Sequence, residues 1–144
     1  MVIAQQEAGV SLVTMAAMVS VGLLTVGAGY LVIWSAKLAA SGEIKRNNGW
    51  AGIRTRATAS SDEAWLAAHQ EAEALTVWGG WVFMASAILA PVLALVLTNT
   101  DEQATTVWGI GLTIGIVAGT GFVMLAASRG NAAAKEVEQH DRNR

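Results

Sequence analysis

The residues best suited to binding chemistry lie close together, between positions 52 and 58. The guanidinium of Arg54 can form paired hydrogen bonds with a carboxylate, a lipid phosphate or the carbonyls at a helix end. The hydroxyls of Thr55 and Thr58 can stabilise turns, and Gly52 permits a tight turn or a close backbone approach. Two interpretations stay open: the group binds a ligand, or it locks its loop against the helix that follows, with Arg54 meeting a glutamate of that helix.

The other polar residues do not indicate catalysis. The chain has two histidines and no cysteine, and it lacks the nucleophile elbow of the serine hydrolases. A metal site at His69 would need carboxylates such as Asp62 or Glu73, whose spacing matches no known ligand pattern. We therefore expect a protein that is not an enzyme and holds no metal or cofactor.

A helix is predicted to begin near Ser61. Ser60 followed by Glu63 has the spacing of a capping box, and acidic residues in a first turn are favoured by the helix dipole. On this helix Trp65 and His69 share a face. Trp65 either docks on the membrane surface or on the turn before it, or it contacts a ligand.

Three apolar stretches organise the rest of the chain. None contains Asp, Glu, Lys, Arg or His, and they cover about residues 10–36, 75–98 and 104–127. Each is long enough for a transmembrane helix, which needs about 20 mostly apolar residues. We expect an all-α integral membrane protein, a single membrane domain over residues 1–144 with a loop at 38–74 and a polar tail at 128–144. The second helix should extend beyond the bilayer into the cytoplasm.

The basic residues predict the orientation. All nine lie either between the first two spans or after the third, and such residues favour the cytoplasmic side. The protein should therefore be a multi-pass protein of the plasma membrane with its N-terminus outside and both the loop and the C-terminus in the cytoplasm. Nucleic acid is not an expected partner, because residues 38–74 hold four basic residues against five acidic ones.

The third span carries a packing signal. Its glycines at a spacing of four fall on one helix face, and they are Gly111, Gly115 and Gly119. Lipid offers no hydrophobic drive for helix association, so small residues that allow close approach matter. The face can pack within the chain or against a partner, and both possibilities stay open.

The segment that begins at Asn48 resembles the SdpI/YfhL family. The resemblance covers roughly residues 43–98, and the positions that match in order and spacing are Gly52, Ile53, Arg54, Thr55, Thr58, Ser61, Trp65 and His69. In place of the proline that members often have after the Arg-Thr pair, this chain has Arg56.

The resemblance implies a membrane immunity and signalling protein. Such a protein protects a bacterium from a secreted peptide toxin and can hold a transcriptional repressor at the membrane. The resemblance makes Arg54, Thr55, Thr58, Trp65 and His69 the expected partner-binding residues, with Asn48, Gly52 and Ser61 in structural roles. The alternative is a small accessory or scaffold subunit of a larger membrane complex, held through the glycine face of the third span.

Overall fold

The computed structural model describes residues 9–47 and 51–143, which form three α-helices and no strand. The helices are α1 (Leu12–Ala40), α2 (Asp62–Leu97) and α3 (Asp101–Arg142). All three are long and apolar enough to cross a membrane. The predicted all-α architecture with three membrane-spanning helices is confirmed, and the protein contacts the lipid bilayer. Its orientation relative to the cytoplasm stays a prediction.

Helix α2 begins where the sequence predicts, but its cap differs by one residue. Ser61 is the N-cap, and its hydroxyl accepts a hydrogen bond from the Ala64 amide at 3.0 Å. Glu63 therefore occupies the second helical position, so the Ser60–Glu63 capping box is wrong. The Ser60 hydroxyl instead donates to the Ala57 carbonyl at 2.7 Å, inside the preceding turn.

Helix α3 is longer than its apolar sequence predicts. The sequence predicts a polar tail at 128–144, yet α3 runs without interruption to Arg142. Ala134 is fully buried in a cluster with Ala57, Ala64 and Ala68. Packing against neighbouring elements supplies most of the stability of a helix in a protein, and this alanine cluster explains why α3 persists beyond the membrane.

Helix α2 lies between the other two, and α1 and α3 make few contacts with each other. Two adjacent glycines of α2 face different neighbours. A Cβ atom on Gly79 would lie 2.9 Å from the Gly119 carbonyl oxygen of α3, and one on Gly80 would lie 2.8 Å from the Gly29 carbonyl oxygen of α1. These separations are too short for a methyl group, so the backbones of all three helices approach one another here through glycine.

The glycine face of α3 packs within the chain. A Cβ on Gly111 would touch Ala90, one on Gly115 would overlap Ser86, and Gly119 lies against Gly79. Of the two possibilities left open by the sequence, the structure therefore shows the first.

The start of α1 is hydrogen-bonded directly to the start of α3. The backbone amide of Ser11 donates a hydrogen bond of 2.7 Å to the Asp101 carboxylate at the start of α3. That hydrogen bond lowers the pKa of Asp101 below its ordinary value, because it favours the charged form. This contact and the short α2–α3 connection lie at one end of the helices. The long loop between α1 and α2 lies at the other end.

Candidate functional site

The candidate site lies where the C-terminal end of α1, the N-terminal part of α2 and the extension of α3 meet. Residues 51–61, here called the motif loop, cover this junction. A Cβ on Gly130 of α3 would lie 2.5 Å from the Ala68 carbonyl oxygen and 2.9 Å from the Ile53 side chain. Because Gly130 has no side chain, α3 can pack in direct contact with both α2 and the motif loop.

Trp65 anchors the turn that follows α1. Its indole nitrogen donates a hydrogen bond of 2.9 Å to the Ile44 carbonyl, and its ring packs in a buried cluster with Ala39 and Ile44. Only 4% of the residue is exposed. Of the alternatives for Trp65, docking on the preceding turn is the one that the structure shows.

Gly52 lets the backbone of the motif loop pack directly against α2. Its φ of +107° belongs to the region that favours glycine. A Cβ there would overlap the Trp65 ring and would lie 2.7 Å from Nε2 of His69. Of the two possibilities for Gly52, a tight turn or a close backbone approach, the structure shows the close approach.

His69 joins the motif loop to α2 through both ring nitrogens. Nε2 accepts a hydrogen bond of 2.8 Å from the Ile53 amide, and Nδ1 lies 2.7 Å from the Trp65 carbonyl oxygen. An amide can only donate and a carbonyl can only accept, so both bonds form only when His69 is neutral with its proton on Nδ1. Burial lowers the pKa of His69 below its ordinary value and favours this neutral form. His69 precedes the apolar stretch of α2 and lies outside the membrane-spanning segment.

Thr58 forms several hydrogen bonds within the motif loop. Its fully buried hydroxyl accepts from the Thr55 amide at 2.9 Å and donates to the Ile53 carbonyl at 2.8 Å. The Thr58 amide in turn donates to the Thr55 hydroxyl at 3.2 Å. The two threonines thus satisfy each other's backbone groups, which confirms the predicted stabilisation of turns.

Arg46 fastens the loop to the start of α2. Its guanidinium binds the Asp62 carboxylate at 3.1 Å and the Ala59 carbonyl at 2.6 Å. Arg54 and Arg56 extend from the same loop and are exposed, and Thr55 is half-buried. Arg46 therefore helps to hold the motif loop against the start of α2.

A cavity of about 320 Å³ lies under the motif loop and is lined by all three helices. Most of its wall is apolar, and its polar members are Ser35, His69, Glu73 and Thr76. The hydroxyls of Ser35 and Thr76 donate to carbonyls of their own helices. Within residues 9–47 and 51–143, no group of three or more histidine, cysteine or acidic side chains is placed to hold a metal ion.

The structure brings together most of the residues that the sequence singles out, but it gives them different surroundings. Thr58, Trp65 and His69 are buried under or within the motif loop, whereas Arg54 is exposed. Ser61 caps α2, and Asn48 lies outside the described residues.

Sequence reasoning missed two contributors to the site. The first is the Ile53 amide that donates to His69. Because it is a backbone group, the residue type does not indicate its role. Gly130 could have been found, because the small residues of α3 continue beyond the apolar stretch at the helical positions Ala126, Gly130 and Ala134, all of them buried.

Comparison with known proteins gives one match. The model of the SdpI/YfhL protein family matches residues 43–128, which include the motif loop, all of α2 and most of α3. No curated protein and no solved structure matches the chain.

Proposed function

Since the chain belongs to the SdpI/YfhL protein family, we propose that it is an immunity and signalling protein of the cell membrane that binds a peptide toxin or a regulatory partner. The motif loop is the proposed binding surface. The family match covers this loop, all of α2 and α3 as far as residue 128.

The observation that carries the proposal is the way in which the motif loop is fixed. Its backbone is held by three side chains: His69 accepts from the Ile53 amide, Thr58 donates to the Ile53 carbonyl, and Arg46 donates to the Ala59 carbonyl. A surface fixed before binding loses little conformational entropy when a partner arrives, which favours affinity.

The buried and exposed residues of the loop have separate roles in this proposal. Thr58, Trp65 and His69 position the backbone, and Arg54 and Thr55 present polar groups at the surface. A guanidinium at the surface suits a carboxylate of the partner, either an acidic side chain or a chain terminus. The distribution of basic residues predicts that this surface faces the cytoplasm, where a soluble regulator could reach it.

The test is protection of a sensitive host. Cells that express the wild-type chain and cells without it are challenged with purified secreted peptide toxins, and the inhibitory concentrations are compared. We expect protection by the wild type, and we expect Arg54→Ala to abolish it at unchanged protein level. Arg56→Ala is the matched control, because it removes the same charge two residues away.

The outcomes separate recognition from general charge attraction. Loss of protection in Arg54→Ala alone supports recognition at that position. Equal losses in both variants would show that only net charge matters, and equal sensitivity of cells with and without the wild type would refute the immunity proposal.

The accessory-subunit alternative has lost the feature on which it rested. Gly111, Gly115 and Gly119 face α2 of the same chain, so they are not available to a partner subunit. The native mass of the protein extracted from its host in mild detergent tests this alternative, because a subunit would co-purify with a large assembly in fixed stoichiometry.

A further inference from the structure

We propose that a groove beside the C-terminal end of α1 binds the headgroup of a phospholipid that carries a primary ammonium group. The groove has a volume of about 730 Å³ and opens to the outside of the molecule between α1 and α2. Its polar lining consists of Lys37, Gln70 and Glu73, and its apolar lining includes two tryptophans, Trp78 and Trp81.

The groove holds two opposite charges that do not neutralise each other. In the part of the chain that the structure describes, neither Lys37 nor Glu73 takes part in an ion pair. Both lie at the end of an apolar stretch, next to the membrane core, where charges interact more strongly than in bulk water. A ligand with one negative and one positive group would satisfy both.

The tryptophans place the groove at the membrane surface. Trp78 and Trp81 follow Glu73 by one to two helical turns toward the apolar part of α2, and they are 61% and 53% exposed. Tryptophan is enriched at the headgroup level of membranes. The charged end of the groove therefore lies at headgroup depth, and its aromatic end lies where the acyl chains begin.

Donor and acceptor chemistry selects the headgroup. The Lys37 ammonium can donate to a phosphate, and the Glu73 carboxylate can accept only from a donor. A primary ammonium supplies such a donor, whereas a quaternary ammonium has no N–H group. A glycerol headgroup offers Glu73 only neutral hydroxyl donors and no positive charge, so it would form the weaker hydrogen bond. Among ethanolamine, choline and glycerol headgroups, the complementary one is therefore that of phosphatidylethanolamine.

The test is lipid retention by the intact protein. The full-length chain in detergent is mixed with equimolar phosphatidylethanolamine, phosphatidylcholine and phosphatidylglycerol, and bound lipids are counted by native mass spectrometry. We expect phosphatidylethanolamine to be retained most strongly, by about tenfold over phosphatidylglycerol, which is the effect of one charge-assisted hydrogen bond.

Two variants and their controls locate the binding. Glu73→Gln should remove the preference for phosphatidylethanolamine, and Lys37→Gln should lower the retention of all three lipids. Glu71→Gln and Lys135→Gln remove charges from exposed positions outside the groove and should change neither result.

Three outcomes would overturn the proposal. These are equal retention of phosphatidylglycerol by the wild type, an unchanged preference in Glu73→Gln, and an equal loss of preference in Glu71→Gln. The exposed positions of Lys37 and of the control residues make misfolding of these variants unexpected, and retention of a native-like thermal transition verifies it.

Discussion

Acidification should release the motif loop from α2 through a single side chain. Protonation of His69 adds a proton to Nε2, which then faces the Ile53 amide, and two N–H groups cannot bond to each other. The 2.7 Å contact between Nδ1 and the Trp65 carbonyl can persist. The loop therefore loses one specific tether while α2 keeps its structure.

The size and the sign of the effect follow from this contact. A buried hydrogen bond whose donor is left unsatisfied costs about 1–3 kcal/mol, so opening of the loop should become about 5- to 150-fold more frequent. Burial lowers the pKa of His69 in the folded protein. The stabilising contribution is therefore complete above about pH 6.5, the ordinary value in an unfolded chain, and is lost as the pH falls through the lower value of the folded protein.

Hydrogen exchange measures this opening directly. The exchange of a peptide that covers the motif loop is compared at about pH 7.5 and about pH 5, after correction for the intrinsic pH dependence of exchange. The wild type should lose protection at the lower pH. His69→Gln can still accept from the Ile53 amide but does not titrate, so its protection should be the same at both pH values.

The refuting results are specific. Equal corrected protection of the wild type at both pH values would show that the Ile53–His69 bond does not hold the loop. A pH dependence of the same size in His69→Gln would assign the effect to another group. His140→Gln, which removes the other histidine at an exposed position of α3, should behave like the wild type.

Two further predictions use pairs of glycines and the melting temperature of the protein in detergent. Gly52→Ala places a methyl group on the indole ring beneath it at a positive φ, so it should cost about 2 kcal/mol or more, or roughly 5 °C. Gly42→Ala shares a positive φ but makes only an ordinary contact, and it should cost about 1 kcal/mol; equal losses in the two variants would contradict the close packing under Gly52. Gly115→Ala overlaps a serine of α2 and should cost about 1–3 kcal/mol. Gly121→Ala meets open space inside the same helix, where Ala is favoured over Gly by about 0.5–1 kcal/mol, so it should keep or raise the melting temperature and a similar loss there would refute the assignment of the α3 face.

The elements that could be predicted are those whose signals are local. An apolar stretch without charges indicates a span whatever surrounds it, and the start of α2 follows from a serine before two acidic residues. The one-residue error in its cap has a physical cause. Ser60 and Ser61 both precede those acids, and only the turn at Ala57 decides which hydroxyl remains available to cap the helix.

The elements that could not be predicted depend on contacts between distant segments. The sequence of the α3 extension is typical of a polar tail. Its helical structure depends on the packing of Ala134 against the alanines of α2 and the loop. The role of His69 is similar. The sequence places it on a face with Trp65, but the amide that it binds belongs to the loop and becomes visible only when Gly52 has brought that loop down onto the ring.

The two adjacent glycines of α2, Gly79 and Gly80, also fix the rotation of α2 about its own axis. They lie about 100° apart around the helix axis, and each is matched to a different neighbour, so α2 cannot turn without breaking one of the two contacts. Trp65 and His69 belong to the same uninterrupted helix, and the direction in which they point is therefore fixed from within the membrane. One extra residue between His69 and Gly79 would rotate the site by about 100° away from its loop, whereas seven would restore its direction after about two turns. The spacing between the membrane contacts and the site is thus as much a part of the site as its side chains.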